Sequence, residues 1–139
     1  MRIYATNQGD NAMNMKKYKK ESARTASGDM PAIRARLLNK DTINMMHGAI
    51  GICTEAGELS DIFKKHIYYG TEIDMINLKE ELGDIMWYMS LICNTAGYSF
   101  EDIAKTNIAK LRKRYPDKFT EHDATVRDLD SERSVLENG

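Results

Sequence analysis

Two stretches of this chain repeat apolar residues at steps of three and four, a period that commits them to helices with one buried side. The first should begin at Asp41 or Thr42 as N-cap and run to about His66. Met45, Ala49, Ile52, Ala56, Leu59 and Phe63 form its stripe, and Tyr68, Tyr69 and Gly70 end it. The second starts near Asp74, with Thr71 or Asp74 as cap, carries Leu78, Leu82, Ile85, Met89 and Ile92, and stops at Gly97. A third opens at Ser99, with Asp102 as the acidic residue of the first turn, and ends before Pro116. It carries Ile103, Ile108 and Leu111. With no strand pattern of useful length, the chain reads as all-α.

The remainder is less regular. Residues 1–14 read as a loose arm, although a weak helix is expected from about Met13 to Ala26. Residues 28–41 are a connection with a helical turn around Ile33–Leu38. The helical domain covers residues 15–119, and residues 120–139 are a charged tail. That tail either docks through Val126, Leu129, Val135 and Leu136 or stays disordered. A few helices in a chain of 139 residues leave much apolar surface uncovered, so a helical bundle completed by oligomerisation is expected. Gly48, Gly51 and Gly57 lower the propensity of the first long helix by up to about 1 kcal/mol each. Glycines so spaced usually admit a neighbouring backbone.

A formal net charge of -1 gives no electrostatic footprint for nucleic acid or an anionic membrane, so neither is expected as a partner. The apolar stretches are too short and too interrupted to span a bilayer. Residues 1–30 hold lysines and no apolar secretory core. Cys53 and Cys93 form no CxxC pair and sit in apolar stretches, as reduced thiols of a cytoplasmic protein would.

The acids are the informative residues. Glu55 and Glu58 lie three apart on the first long helix, and Glu81 and Asp84 three apart on the second. Such spacing puts like charges on one face, where they repel. None of the four has a basic residue three or four positions away, as a solvated face would supply. Glu55 sits about 60° from Ile52, the middle of the apolar stripe, and Asp84 is flanked by Ile85 and Tyr88, so the acids border the core. Two antiparallel helices joined by a short loop would bring both pairs together. Converging carboxylates without an internal cation call for an external one. All-oxygen ligation favours Mg2+, with Mn2+ as a substitute. A di-iron site would need Glu-x-x-His, and His47, His66 and His122 have Asn44, Phe63 and Phe119 three residues before them.

Basic residues gather after each acidic pair. Lys64, Lys65 and His66 close the first long helix. Asn107, Lys110 and Arg114 share one face of the third. Cations beside a carboxylate-held metal suit a polyphosphate, while cations at a helix C-terminus also suit the helix dipole. Trp87 and Tyr88, beside Asp84, fit stacking on a base and ordinary packing equally.

Read together, GICTEAGELSDIFKKHIYYG, LKEELGDIMWYMS and NIAKLRKRYPDKF resemble the MazG-like all-α nucleoside triphosphate pyrophosphohydrolases, whose motif is ExxE, a variable spacer, then ExxD. YKKESARTA at 18–26 looks like the opening of short stand-alone members, and the resemblance covers about residues 15–120. It implies a homo-oligomer, a dimer or a dimer of dimers, that binds Mg2+ through Glu55, Glu58, Glu81 and Asp84. It also implies hydrolysis of a nucleoside triphosphate between the α and β phosphates, with nucleotide contacts from Lys65, less surely Lys64, and from Asn107, Lys110 and Arg114. The spacer 59–80 is longer than in compact members. Either the loop Ile67–Ile73 reaches over the site or the helices are longer. Two rival readings are a nucleotide sensor without turnover and a structural helical protein with an acidic metal-binding patch.

Overall fold

The computed structural model describes residues 13–137, and every regular element among them is an α-helix. Most of the expected N-terminal arm, residues 1–12, lies outside the described residues, as do 138 and 139. The chain divides into two compact units, residues 1–36 and 37–139.

In the first unit, α1 (Met15–Arg24) is capped by Asn14, whose side chain accepts the Lys17 N–H at 2.9 Å. Its outer turn carries an Arg24–Glu21 ion pair. α2 (Met30–Leu37) is a full helix where only a turn was expected. Asp29 accepts the Ala32 N–H at 3.1 Å, and Pro31 occupies an early position where its missing N–H costs nothing.

The second unit is built on α3 (Lys40–Tyr69) and α4 (Met75–Ala96). α3 begins earlier than the sequence suggests. Asn39, not Asp41 or Thr42, is the cap, and it accepts the Thr42 N–H at 2.9 Å. Asp41 instead lies in the first turn, where its charge meets the positive end of the helix dipole. α3 also continues past His66 to Gly70, which takes the left-handed conformation at φ 70. The imidazole Nδ1 of His66 lies 2.8 Å from the Thr71 carbonyl oxygen across this bend. Of the two candidate caps for α4, Asp74 is used. It accepts the N–H groups of Ile76 and Asn77, both at 3.0 Å. The long spacer is therefore absorbed by helix, and the connection is short.

α3 and α4 pack antiparallel, and two glycines set their separation. A Cβ on Gly51 would overlap the Tyr88 ring, and one on Gly48 would lie 2.9 Å from the Tyr88 carbonyl oxygen. Gly57 differs from that expectation, because a Cβ there would meet open space. Gly48 thus faces Tyr88 and Ile92, and Gly51 faces Tyr88. One turn further along α3, Glu55 comes level with Asp84 and Glu81.

The two stripes are only partly covered. Among the described residues, Ile62 and Cys93 are the buried hydrophobic side chains. Ile52, Leu59, Ile85, Met89 and Ile92 are half-buried, while Ile50, Leu82, Met86 and Trp87 stand exposed.

α5 (Phe100–Arg114) starts at the Ser99 cap and stops at Tyr115, as its sequence indicates. The C-terminal region is ordered into α6 (Glu121–Thr125) and α7 (Leu129–Glu137), and α7 packs on α5. No helix of the described residues is long and apolar enough to cross a membrane.

Candidate metal centre

The antiparallel register delivers Glu55 from α3 and Glu81 and Asp84 from α4 to one place. A carboxylate oxygen from each lies within 4.8 Å of the others. Glu55 is half-buried, Asp84 is exposed, and Glu81 is only 4% exposed.

Glu81 is under electrostatic stress. Burial is the first cause that pushes its carboxyl pKa above the usual range, the negative charge of Glu58 is the second, and the nearby Glu55 carboxyl also raises it. Asn77 works in the opposite direction, donating its side-chain N–H to Glu81 Oε1 at 3.1 Å. Among the described residues, no Lys or Arg forms an ion pair with any of these three carboxylates. A small hard cation meets the chemistry of this donor set: all-oxygen, anionic, and partly removed from water.

Glu58 stands apart from the three-oxygen cluster. It is exposed and lines an adjoining cleft with Thr54, Gly57, Asp61, Ile62, Lys65 and Asn77. Its charge nevertheless reaches Glu81. Thr54 donates its hydroxyl to the Gly51 carbonyl at 2.8 Å and lies 3.2 Å from Glu55 Oε1, which limits the carboxylate's freedom.

Asp61, the next acid along the Glu58 face, is compensated. Lys64 and Lys65 both pair with it, Lys65 at 2.8 Å, and these hydrogen bonds hold its carboxyl below the usual range. Lys65 thus lines the cleft beside Glu58 while paired with Asp61.

The α5 residues go elsewhere. Arg114 forms a bidentate pair with Glu132 of α7, and Asn107 lines a cavity together with Leu136. Lys110 is half-buried on the same helix. The principal partner of α5 is α7, and that of α3 is α4.

Trp87 and Tyr88 adjoin the acids along α4. Their rings meet edge-on at 5.0 Å between centroids, and His47 approaches Tyr88 at 5.6 Å and Trp87 at 6.3 Å. Tyr88 packs against Gly51, whereas Trp87 is largely exposed.

Two features were not found by sequence reasoning. Asn77 lies four residues before Glu81, a spacing that was open to inspection. The contact of Arg114 with Glu132 joins residues far apart in sequence, and no local pattern marks it.

No curated protein and no solved structure matches the chain. The model of the MazG nucleotide pyrophosphohydrolase domain matches residues 49–119, a span that contains both acidic pairs, the α3–α4 turn and all of α5. The chain belongs to the MazG nucleotide pyrophosphohydrolase family.

Proposed function

We propose that this protein is a Mg2+-dependent nucleoside triphosphate pyrophosphohydrolase that releases a nucleoside monophosphate and pyrophosphate. The observation that carries the reading is the convergence of Glu55 and Asp84 on the buried Glu81 carboxyl, with no Lys or Arg ion pair to any of the three among the described residues. Membership of the family supports the reaction class.

In this reading Glu55, Glu81 and Asp84 hold the ion, and Glu58 completes the set from the cleft side. Bound Mg2+ would neutralise phosphate charge and lower the pKa of a coordinated water. The chain's own groups do the rest. Asn77 holds the Glu81 carboxylate in one orientation. One of the motif glutamates, or Glu80 beside Glu81 on α4, orients the water that attacks the α-phosphorus or takes its proton. Lys65 meets the phosphates at the cleft, and Asn107, Lys110 and Arg114 are the further nucleotide contacts that the family resemblance implies. Arg114 is engaged by Glu132, so its part requires that pair to open.

A homo-oligomer, a dimer or a dimer of dimers, belongs to the same reading. Ile50, Leu82, Met86 and Trp87 form exposed apolar surface on the very helices that carry the acids. Such surface on a soluble domain is normally covered by a partner. The two free thiols, Cys53 and Cys93, fit a reducing cytoplasm.

The test is a panel of NTPs and dNTPs with Mg2+, scored for monophosphate and pyrophosphate. Release of both products from at least one triphosphate supports the proposal. Tight nucleotide binding without products would favour a sensor, and neither binding nor turnover would leave a structural protein.

A further inference from the structure

α7 packs on α5, and Arg114 and Asn107 both adjoin it. At one end of that contact Arg114 donates from Nε and Nη2 to the two carboxylate oxygens of Glu132, at 2.9 and 2.5 Å. Arg127 reaches the same carboxylate from the segment between α6 and α7, with Nη2 2.7 Å from Oε2 and Nε 3.3 Å from Oε1. The carboxylate is enclosed, with a side-chain exposure of 5%, while Arg127 keeps 42% of its side chain in solvent. At the other end, Leu136 faces Tyr98, Ile103 and Asn107 across a cavity.

This arrangement matches two guanidinium forks against one negative charge. A phosphate group offers the same fork-shaped acceptor geometry with close to two charges and a third oxygen. It would therefore neutralise the arginines more completely than Glu132 does. The cover is also weakly built. α7 has nine residues, too few to persist as a helix without its docking site, and α5 is its principal partner.

We propose that Arg114 and Arg127 form a phosphate-binding pair that Glu132 fills as an internal ligand, and that a polyphosphate competes with Glu132 and releases α7. The proposal rests on the pyrophosphohydrolase reading only for the identity of the natural ligand, a nucleoside triphosphate. The arginine pair then does two jobs. It holds α7 closed over α5, and it exchanges that contact for phosphate when substrate arrives.

The experiment uses the full chain with Mg2+ and inorganic tripolyphosphate as probe. Hydrogen exchange of residues 129–137 is followed as tripolyphosphate is added, and its affinity is measured by calorimetry for the wild type, Glu132→Gln and Arg127→Ala. Exchange within α7 should rise on saturation. Glu132→Gln should bind about tenfold more tightly and Arg127→Ala about tenfold more weakly, the effect of roughly one charge-assisted contact. No binding at millimolar probe, unchanged or increased protection of α7 at saturation, or equal affinity in all three proteins would overturn the proposal. The wild-type exchange arm decides the matter even if Glu132→Gln loosens the fold. Because the probe needs no turnover, released α7 in a protein that hydrolyses no triphosphate would sink the hydrolase reading alone.

Discussion

Asn77 and Glu81 are joined one helical turn apart on α4 by an amide-to-carboxylate hydrogen bond of 3.1 Å. It reaches the most enclosed acid of the proposed metal centre and orients that carboxylate. Groups that orient a ligand from behind typically contribute 10–100-fold in metal affinity. Asn77→Ala should therefore raise the Mg2+ concentration for half-maximal activity by about tenfold while maximal turnover at saturating Mg2+ falls less. A Mg2+ titration of steady-state rate measures both, and an unchanged midpoint would remove Asn77 from the site.

The repulsion around Glu81 predicts a stability effect with a definite sign. Burial and Glu58 raise its carboxyl pKa in the folded protein above the ordinary value of 4.5. The folded state thus favours the protonated form. Metal-free protein should lose stability as pH rises from the ordinary value through the raised one. Glu58→Gln should stabilise the metal-free protein slightly at neutral pH, and Mg2+ should raise the melting temperature of the wild type more than that of the variant. Thermal melts with Mg2+ and with chelator provide the check. A large drop in melting temperature for Glu58→Gln would make that side chain a structural hydrogen-bonding group.

Helical glycines make a paired prediction. Gly51→Ala would drive a methyl group into the Tyr88 ring, while Gly57→Ala adds one to open space. The first should destabilise by about 1–3 kcal/mol, the usual cost of overpacking. The second should stabilise the chain by about 0.5–1 kcal/mol through helix propensity. Urea unfolding of both variants measures the contrast, and equal effects would mean that the α3–α4 approach at Tyr88 is loose.

Much of this fold is legible in the sequence because it depends on local rules. Ser99, Asp74, Gly70 and Gly97 mark helix ends by capping chemistry that acts within a few residues. The pairing of Glu55 with Glu81 and Asp84 was legible too, since two antiparallel helices with a short turn permit little else. Asn39 was missed because Asp41 and Thr42 are also good caps, and only the backbone path chooses among them. The position of α7 was missed for another reason. Its tie to α5 is an ion cluster between residues distant in sequence, and a charged tail with few apolar residues carries the same composition whether docked or free. Nor does the periodicity of α3 and α4 reveal how little of either stripe is covered within one chain.

The C-terminal clasp has its own pH dependence. Arg114 first, and Arg127 second, depress the Glu132 pKa from 4.5 to about 2. A depressed carboxyl pKa gives stability that is complete above the ordinary value and is lost as pH falls through the folded one. α7 should stay docked at pH 6 and loosen as pH falls from about 4.5 toward 2. NMR amide signals of residues 129–137 would report this, and Glu132→Gln should flatten the dependence. A wild-type profile unchanged across that window would mean that the clasp does not hold α7.

The carboxylates of the proposed metal centre should act as one unit, because loss of any one would leave the ion incompletely held. Pyrophosphate and monophosphate release from the preferred triphosphate, measured for the wild type and for Glu55→Ala, Glu81→Ala and Asp84→Ala with Mg2+ and with excess chelator, tests this directly. The wild type should be active only with Mg2+ or Mn2+. Each variant should lose about 1,000-fold or more in turnover, with double variants little worse than single ones. Full wild-type turnover in excess chelator, or Glu81→Ala within tenfold of the wild type, would contradict the metal centre itself.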